Sequence, residues 1–477
     1  MTSADILSLL PLLVVATTGV VVMLAAAFYR NHRLSLILTL AGLLTAFISL
    51  PFVSPLTPRQ VTSLVLVDGY ALFYMGLIFA AGFIVALLTY GYLEQWDGNP
   101  EELYVLLLLA TLGAAVLVGS SHFASFFLGL ETLSVALYAM IAYNRSLRRG
   151  IEAGIKYLVL AGVTAAFLLF GMALVYAETG TLAFSGVIAV AGGGPSLQLM
   201  VGLGMLIVGV GFKLGVVPFH MWTPDVYQGA PAPVTGLLAS MSKGAMFALL
   251  LRYFTPVMAL ERQGLVWVFT AVAVLSMLGG NILALTQDNV KRILAYSSIA
   301  HLGYLLVAFL ASGPAGQLAV AFYLVAYFAT TLSAFGVVTV LSTPDEEAES
   351  LRAYQGLYYR RPWLAIIFTI ALLSLAGIPP TAGLVGKIFI AAAGVQASLW
   401  LLLIVLVLAS VIGVFYYMRI VITMFRRPEA DVVQPSMVRL PRAASVVLGA
   451  LSVILVGLGI YPVPVMRIIE RTVARLV

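Results

Sequence analysis

The 477-residue sequence contains no cysteine, and only 9% of its residues are charged. The absence of cysteine excludes iron–sulfur clusters, thiolate-ligated haem, disulfides and cysteine-based zinc sites. Soluble domains have about 25% charged residues, so a chain with this few charges cannot cover a water-facing surface. Hydrophobic residues make up 62% of the sequence. These figures exclude the soluble classes of protein and indicate an integral membrane protein.

Histidine is also scarce, and its four residues are too scattered along the chain to hold a series of bis-histidine haems. We therefore expect no redox cofactor and no metal site in this chain. The formal net charge of +6 would suggest nucleic-acid binding in a soluble protein. Here the charges lie in loops between apolar runs, where they set topology, and no basic block has interleaved aromatic residues. Nucleic acid is therefore not an expected partner.

Long apolar runs dominate the chain, and a helix needs about 20 such residues to cross the hydrocarbon core. Fourteen segments meet this requirement and predict an all-α, polytopic membrane protein. They cover approximately residues 5–29, 34–53, 67–92, 102–119, 121–143, 151–177, 198–222, 231–255, 264–285, 292–312, 316–342, 362–393, 398–425 and 443–469. The longest polar stretches, 93–102, 343–361 and 426–442, are too short to form domains. We therefore predict a single membrane domain over 1–477.

The loop charges predict the orientation, because inner loops carry an excess of arginine and lysine. With the N-terminus outside, the inner loops hold fourteen basic residues and the outer regions hold five. The inner set is Arg30, Arg33, Arg145, Arg148, Arg149, Lys291, Arg292, Arg352, Arg360, Arg361, Arg426, Arg427, Arg439 and Arg442, and the outer set is Arg59, Arg262, Arg467, Arg471 and Arg475. This distribution predicts that both termini lie on the outer side.

Lysine is rare, with five residues against twenty arginines. Lys213, Lys243 and Lys387 lie well inside apolar segments, and Lys156 lies several residues into another. A charged side chain at the bilayer centre costs roughly 2.5–3.5 kcal/mol on insertion scales, so a function is expected of these residues. A buried lysine can exchange a proton near neutral pH, whereas arginine stays charged. The lysines are therefore candidate proton-relay residues; the alternative for Lys156 and Lys213 is snorkelling to the interface.

Two further titratable residues lie at depth in the predicted spans. Glu131 has apolar neighbours on both sides and is the acid that matches the buried lysines. His301 is a second relay candidate, although a lone buried histidine is also commonly a hydrogen-bonded core residue. Glu152 precedes Lys156 by one helical turn, which equally suits a local ion pair.

Two of the predicted spans contain helix-breaking residues next to a lysine. Pro218 follows Lys213 by five residues in the seventh span, and Pro379 and Pro380 precede Lys387 in the twelfth. Interior proline kinks or breaks a helix. Interrupted spans at matching positions of two halves indicate a transport site. We therefore predict that helices 7 and 12 are broken at such a site.

The two interrupted spans are five apart, which predicts an internal repeat of five helices. The first copy would cover 102–255 (spans 4–8) and the second 264–425 (spans 9–13). A gapless alignment of 123–143 with 289–309 pairs Tyr138 with Tyr304. Because each copy has an odd number of helices, the two copies would enter the membrane from opposite sides, as an inverted repeat.

Three long motifs resemble one known family. The run FKLGVVPFHMWTPDVYQGAPAPVTGLLASMSK (212–243) resembles the signature of the antiporter-like membrane subunits of respiratory complex I, which are similar to subunits of multi-subunit cation/proton antiporters and membrane-bound hydrogenases. QDNVKRILAYSSIAHLGY (287–304) and LAGIPPTAGLVGKIFI (375–390) are similar to the same family. Within it, TPDVYQGAPAP (223–233) resembles the N branch more than the M and L branches. The resemblance covers about residues 100–425.

The resemblance implies a proton-translocating subunit of NADH:quinone oxidoreductase in a bacterial cytoplasmic (inner) membrane, with both termini periplasmic. The matched residues are Glu131 for the acid of the fifth helix, Lys213 for the lysine of the broken seventh helix, Lys243 for the lysine of the eighth, Lys387 for the ionisable residue of the broken twelfth, and Lys156 and His301 for further positions on the polar axis. NADH, FMN, iron–sulfur clusters and quinone are expected in partner subunits. Other antiporter-like membrane subunits are the expected neighbours.

The mechanism that this resemblance favours is a proton channel along the row of lysines. Glu131 would hold Lys213 protonated, and movement of that countercharge would release the proton along the row. Three alternatives remain: a subunit of a Na⁺/H⁺ antiporter, a secondary transporter of a small solute, and a structural scaffold. A solute transporter needs a polar pocket, and we find no cluster of Asn, Gln, Ser and Thr to build one. A scaffold would have no use for lysines within its spans.

Overall fold

A computed structural model describes residues 2–473 of the chain, except 95, 97, 192–195, 259–262, 344–345 and 428–441. Three arginines of the loop count above, Arg262, Arg439 and Arg475, lie outside the described residues. The described part is almost entirely helical.

The first half of the chain contains twelve helices and one small sheet in the described residues. They are α1 (Ser3–Ser8), α2 (Leu10–Phe28), α3 (His32–Val53), β1 (Arg59–Val61), β2 (Val65–Val67), α4 (Gly69–Leu93), α5 (Glu101–Val118), α6 (Phe123–Ile141), α7 (Arg148–Thr179), α8 (Phe184–Ala191), α9 (Leu197–Leu214), α10 (Trp222–Gly229), α11 (Ala232–Leu237) and α12 (Lys243–Met258). The strands β1 and β2 pair as an antiparallel hairpin. A π-helical turn, Leu238–Ser242, joins α11 to α12.

The second half of the chain is helical throughout its described residues. Its helices are α13 (Gln263–Leu285), α14 (Val290–Ala311), α15 (Gly313–Leu341), α16 (Leu357–Arg360), α17 (Pro362–Ala376), α18 (Ala382–Gln396), α19 (Trp400–Phe425), α20 (Arg442–Ile460) and α21 (Val463–Thr472). Short 3₁₀ turns occur at Ser54–Leu56 and Leu351–Tyr354.

In the described part of the chain, thirteen helices are long and apolar enough to cross a membrane, and α17 and α18 are shorter apolar helices. Each predicted span overlaps one of these helices or a consecutive pair. The last span, 443–469, is present as α20 but was drawn too long at its end, because the helix ends at Ile460 and a new helix begins after Pro462, which lacks the N–H that a continuing helix needs. The hairpin and α8 were not predicted.

Both predicted interruptions are present, but glycine ends each helix. Gly215 adopts the left-handed conformation (φ +72°) directly after α9, and its N–H bonds back to the carbonyl of Gly211. Gly377 (φ +82°) ends α17 in the same way, with its N–H bonded to the carbonyl of Leu373. A left-handed glycine is a common helix terminator because it has no Cβ. The prolines lie a few residues further on, where they prevent the helix from resuming at once.

The most deeply buried helices are α12, α14 and α15, whereas α2, α7 and α20 expose most of their apolar side chains. Outward-facing residues of α7, such as Val159 and Phe170, are more than half exposed, as expected for side chains that face lipid. Within the broken pairs α9–α10 and α17–α18, Lys213 contacts α6 and α7, and Lys387 contacts the end of α17 and the buried helix α14. This arrangement places titratable side chains inside the protein and away from lipid.

Candidate proton-relay site

Lys213 is only 4% exposed and lies in the last turn of α9. Its Nζ donates a 2.5 Å hydrogen bond to the hydroxyl of Ser134 on α6. The same atom lies 5.9 Å from the ring centre of Tyr138 and 5.2 Å from that of Tyr157, within cation–π range. The negative end of the α9 dipole also favours a cation here. Polar and aromatic groups therefore hold this ammonium without a direct salt bridge among the described residues.

Glu131 approaches the same lysine from α6. It precedes Ser134 by three residues and Tyr138 by seven, so these three side chains share one face of the helix. Its Oε1 is buried and has no hydrogen-bond partner among the described residues, and its carboxylate interacts electrostatically with Lys213. The structure thus brings Glu131 and Lys213 to one site, with the carboxylate free of the hydrogen bonds that would fix it.

Lys243 is fully buried at the start of α12, directly after the π-helical turn. Its Nζ donates a 2.7 Å hydrogen bond to the hydroxyl of Ser298 on α14 and lies 5.2 Å from the ring centre of Tyr227. A Cβ placed on Gly215 would lie 3.6 Å from this Nζ. The break after α9 therefore lies beside Lys243, which puts Lys213 and Lys243 on either side of one short irregular segment.

Lys387 is 7% exposed and lies on α18. Its Nζ donates to the carbonyls of Leu375 (3.1 Å) and Ala376 (2.9 Å), the last two residues of α17. Half-helix C-termini of this kind stabilise cations through their free carbonyls and the helix dipole. The ammonium also lies 5.0 Å from the ring centre of Tyr304. The break in the twelfth span therefore provides the binding site for its own lysine.

His301 lies on α14, buried beside Lys387, with which it interacts electrostatically. Its Nδ1 is 2.6 Å from the hydroxyl of Tyr323 on α15, and its Nε2 is 3.1 Å from the hydroxyl of Tyr417 on α19. The Tyr417 hydroxyl also hydrogen-bonds Ser297. Both ring nitrogens are therefore satisfied, and the imidazole links two helices next to the lysine.

Lys156 lies apart from the buried lysines, with 44% of its side chain exposed. Its Nζ pairs with Glu152 at 2.7 Å and with Asp225 at 3.0 Å, so the local ion pair considered from the sequence is present. Arg292 adds a second pair to Asp225 at 2.8 Å. Burial alone would raise the pKa of Asp225, but hydrogen bonds from Arg292 and Lys156 outweigh it and lower that pKa.

Lys291 is a buried lysine that the sequence interpretation counted among the loop charges. It is fully buried at the start of α14. Its Nζ donates to the carbonyl of Ala230 at 2.6 Å and pairs with Glu347 at 3.2 Å. Glu347 also accepts hydrogen bonds from the Tyr92 hydroxyl and the Ala232 N–H. This carboxylate ties together three helices at one end of the bundle.

Sequence reasoning missed the hydroxyl groups and aromatic rings that contact the relay candidates. Helical spacing from Glu131 would have found two of them, Ser134 and Tyr138. The others lie on different helices from the group they contact, and sequence spacing does not pair residues of different helices. These residues are Tyr157, Tyr227, Ser298, Tyr304, Tyr323 and Tyr417.

The site contains titratable amines, one carboxylate and one imidazole, linked by hydroxyl groups and aromatic rings. In the described part of the chain, no cluster of His, Asp and Glu is placed to hold a metal ion. The arrangement suits the movement of protons or small cations. Fold and site together define a polytopic helical membrane protein of the ion-translocating class.

Known proteins place the chain within this class. The family described as NADH:quinone oxidoreductase/Mrp antiporter, transmembrane, matches residues 120–413. NADH-quinone oxidoreductase subunit N of Ectopseudomonas mendocina is 46% identical, with 98% of this chain and 97% of that protein aligned. The chain therefore belongs to the NADH:quinone oxidoreductase/Mrp antiporter family, in its subunit N branch.

Solved structures agree with this assignment. A chain of respiratory complex I from Thermus thermophilus superposes with a TM-score of 0.82 at 34% identity, covering 96% of this chain and 98% of that one. A chain of the Mrp complex from Dietzia sp. DQ12-45-1b superposes with a TM-score of 0.85 at 21% identity, covering 100% and 98%. At this lower identity the likeness concerns the fold alone.

Proposed function

We propose that the chain is a membrane-arm subunit of NADH:quinone oxidoreductase that translocates protons through Glu131, Lys213, Lys243, His301 and Lys387. The observation that carries this proposal is the burial of three lysines without a direct carboxylate partner among the described residues. An amine held by hydroxyls, rings and carbonyls can give up its proton, because no salt bridge fixes its charge. Subunit N relatives at 46% identity support the enzyme complex named here.

The first step of the proposed relay uses the carboxylate of Glu131. While it faces Lys213, the opposite charge stabilises the ammonium form. When the carboxylate turns away or takes up a proton, Lys213 releases its proton toward Lys243 across the break at Gly215. Lys156 was also predicted to be a relay residue, but its exposed ion pairs support a peripheral role.

Partner subunits supply the driving force in this proposal. The sequence has no cysteine, so NADH oxidation and electron transfer through FMN and iron–sulfur clusters to quinone belong to other subunits. Neighbouring antiporter-like subunits would continue the row of titratable groups. The loop charges support a place in the bacterial cytoplasmic membrane with both termini on the periplasmic side.

The test is Lys213→Ala in the whole complex, purified and reconstituted in liposomes. We expect proton translocation per NADH oxidised to be abolished or strongly reduced. The matched control is Leu203→Ala, which removes a buried side chain from the same helix without removing a titratable group. Unchanged translocation per NADH in Lys213→Ala would contradict the role of Lys213.

A Na⁺/H⁺ antiporter subunit is the second candidate, supported by the fold shared with the Mrp complex chain. The two functions differ in what co-purifies with a tagged chain in mild detergent. Quinone-dependent NADH oxidation in the purified particle would support the oxidoreductase. A particle of small membrane subunits without this activity, and with Na⁺/H⁺ exchange, would support the antiporter.

A further inference from the structure

A continuous buried hydrogen-bond chain of four side chains, here called the tyrosine–histidine chain, connects α14, α15 and α19. Its members are Ser297, Tyr417, His301 and Tyr323. The Ser297 hydroxyl bonds to the Tyr417 hydroxyl, which is 3.1 Å from Nε2 of His301, and Nδ1 of His301 is 2.6 Å from the Tyr323 hydroxyl. All four residues are at most 3% exposed.

We propose that Tyr417 and Tyr323 are relay residues that pass protons through His301 by exchange between its two neutral tautomers. This inference rests on the proposed function, in which His301 and Lys387 carry protons. It adds the two tyrosines and Ser297 to the residues that the protons cross.

The bonding pattern of the imidazole carries the argument. A neutral imidazole has one N–H donor and one acceptor nitrogen. Because each nitrogen of His301 faces a tyrosine hydroxyl, one tyrosine donates to the ring while the other accepts from it. The ring thus lies between a proton donor and a proton acceptor in either tautomer, as a proton shuttle requires.

The transfer balances as one proton in and one proton out. Ser297 gives its hydroxyl proton to the oxygen of Tyr417 as Tyr417 gives its own to Nε2 of His301. The Nδ1 proton passes to the oxygen of Tyr323, and Tyr323 releases its own proton. A new proton restores Ser297, and rotation of the hydroxyls with return of the ring tautomer resets the chain.

The far end of the chain leads to the helix that carries Lys387. A Cβ placed on Gly386 would lie 2.7 Å from the ring of Tyr323, so this ring packs directly on the backbone next to Lys387. The charge of Lys387 also interacts with His301. In this proposal Lys387 accepts the proton from Tyr323 once its own proton has moved on.

The hydroxyls of Tyr417 and Tyr323 also satisfy the two buried nitrogens of His301, so a structural role predicts poor assembly, whereas a proton path predicts lost translocation in complexes that assemble. Burying a hydroxyl is unfavourable unless it is hydrogen-bonded, and phenylalanine fills nearly the same volume in an apolar core without that requirement. Tyr354 provides the comparison, since it is also fully buried and its hydroxyl bonds to the backbone carbonyl of Ala348 at 2.7 Å, away from His301 and Ser297.

The experiment compares Tyr417→Phe and Tyr323→Phe with Tyr354→Phe as the matched control. Each change removes one buried hydroxyl and keeps the ring. The whole complex is reconstituted in liposomes, and proton translocation per NADH, NADH oxidation and the amount of assembled complex are measured. Loss of a positioned proton-transfer group slows its step by roughly 100-fold, so we expect the first two variants to lose the translocation that this chain contributes, whereas Tyr354→Phe keeps it.

Ser297→Ala is the second variant. It removes only one oxygen atom, so we expect the complex to assemble even if the tyrosine variants assemble poorly. Substitutions of residues that act one after another in the same proton path do not have additive effects. Ser297→Ala combined with Tyr417→Phe should therefore lose no more translocation than Tyr417→Phe alone. An additive loss, or an equal loss in Tyr354→Phe, would show a structural effect and overturn the inference.

Lys387→Ala in the same series separates this inference from the proposed function. If Lys387→Ala stops translocation while the tyrosine and serine variants translocate normally, the tyrosine–histidine chain is not a proton path and the proposed function stands. If Lys387→Ala also translocates normally, the proposed function itself is wrong for this half of the chain.

Discussion

The two broken spans hold their lysines in different ways. Lys213 precedes its break at Gly215 and lies beside the carboxylate of Glu131. Lys387 follows its break at Gly377 and donates to backbone carbonyls instead. In the sequence, no Asp or Glu occurs within α13, α14, α15, α17, α18 or α19. One half therefore offers its lysine a carboxylate whose buried oxygen has no hydrogen-bond partner among the described residues, and the other offers fixed backbone dipoles and an imidazole.

The likeness between the halves is nevertheless close around each lysine. Lys213 lies over the ring of Tyr138 and Lys387 over the ring of Tyr304, the two tyrosines that the proposed repeat alignment pairs. The same alignment pairs Glu131 with a serine, Ser297. The comparison teaches that one scaffold can hold a protonated lysine by a nearby opposite charge or by hydrogen bonds. The five-helix repeat remains a prediction, which the pairing of Tyr138 with Tyr304 supports.

The largest effect on stability is expected at Arg252, a buried cation that is paired directly with a carboxylate. Arg252 is 5% exposed in its side chain and makes two hydrogen bonds to Asp68, of 3.0 and 2.8 Å. Arg252→Ala leaves that carboxylate unpaired, which costs about 3–5 kcal/mol. We expect a clear loss of assembled complex, measured by yield and thermal unfolding. The complex that does assemble should translocate the normal number of protons per NADH, and a lower ratio would show that Arg252 belongs to the relay.

Gly377→Ala is expected to disrupt the second half and leave the first unchanged. A left-handed backbone costs an L-residue roughly 1–2 kcal/mol, and the added Cβ would lie 3.1 Å from Nζ of Lys387. Proton translocation should fall together with the thermal unfolding temperature. Gly313→Ala is the control, since Gly313 is also left-handed but has open space around its Cβ. Equal loss of translocation in both variants would contradict a specific effect on Lys387.

Glu131→Gln removes the carboxylate charge that distinguishes the first half. The amide keeps the shape of the side chain but no longer stabilises the ammonium of Lys213, so we expect roughly tenfold slower translocation with normal assembly. Initial rates of proton uptake by liposomes measure this. Glu152→Gln, on the exposed face of α7, is the matched control. Normal rates in Glu131→Gln would mean that the two halves work without a countercharge.

Lys156→Ala should have the smallest effect, because exposed ion pairs contribute about 0.2–1 kcal/mol. Asp225 has a lowered pKa, so its pairs stabilise the fold above the unfolded pKa and are lost as pH falls through the folded one. The small difference in unfolding temperature between wild type and variant should therefore persist at neutral pH, begin to shrink below about pH 4 and vanish once the pH is below the lowered pKa of Asp225. A large loss of proton translocation would instead return Lys156 to the relay.

The sequence predicts most of the fold because hydropathy alone locates membrane spans. It also predicts that Lys213, Lys243 and Lys387 are buried, because a lysine within a membrane-spanning apolar run avoids lipid by facing the protein interior. Hydropathy does not distinguish a loop from a buried helix end, and this explains why Lys291 was counted as a loop charge. The hydrogen-bond partners of the lysines, such as Ser298, come from helices distant in sequence and appear only when the helices pack.

The central claim is that the buried lysines work by releasing protons and not by charge alone. Lys213→Arg tests it most directly, because arginine keeps the positive charge but does not deprotonate in proteins. In the assembled, reconstituted complex we predict that Lys213→Arg loses proton translocation per NADH as Lys213→Ala does. Normal translocation with arginine at this position would contradict the account.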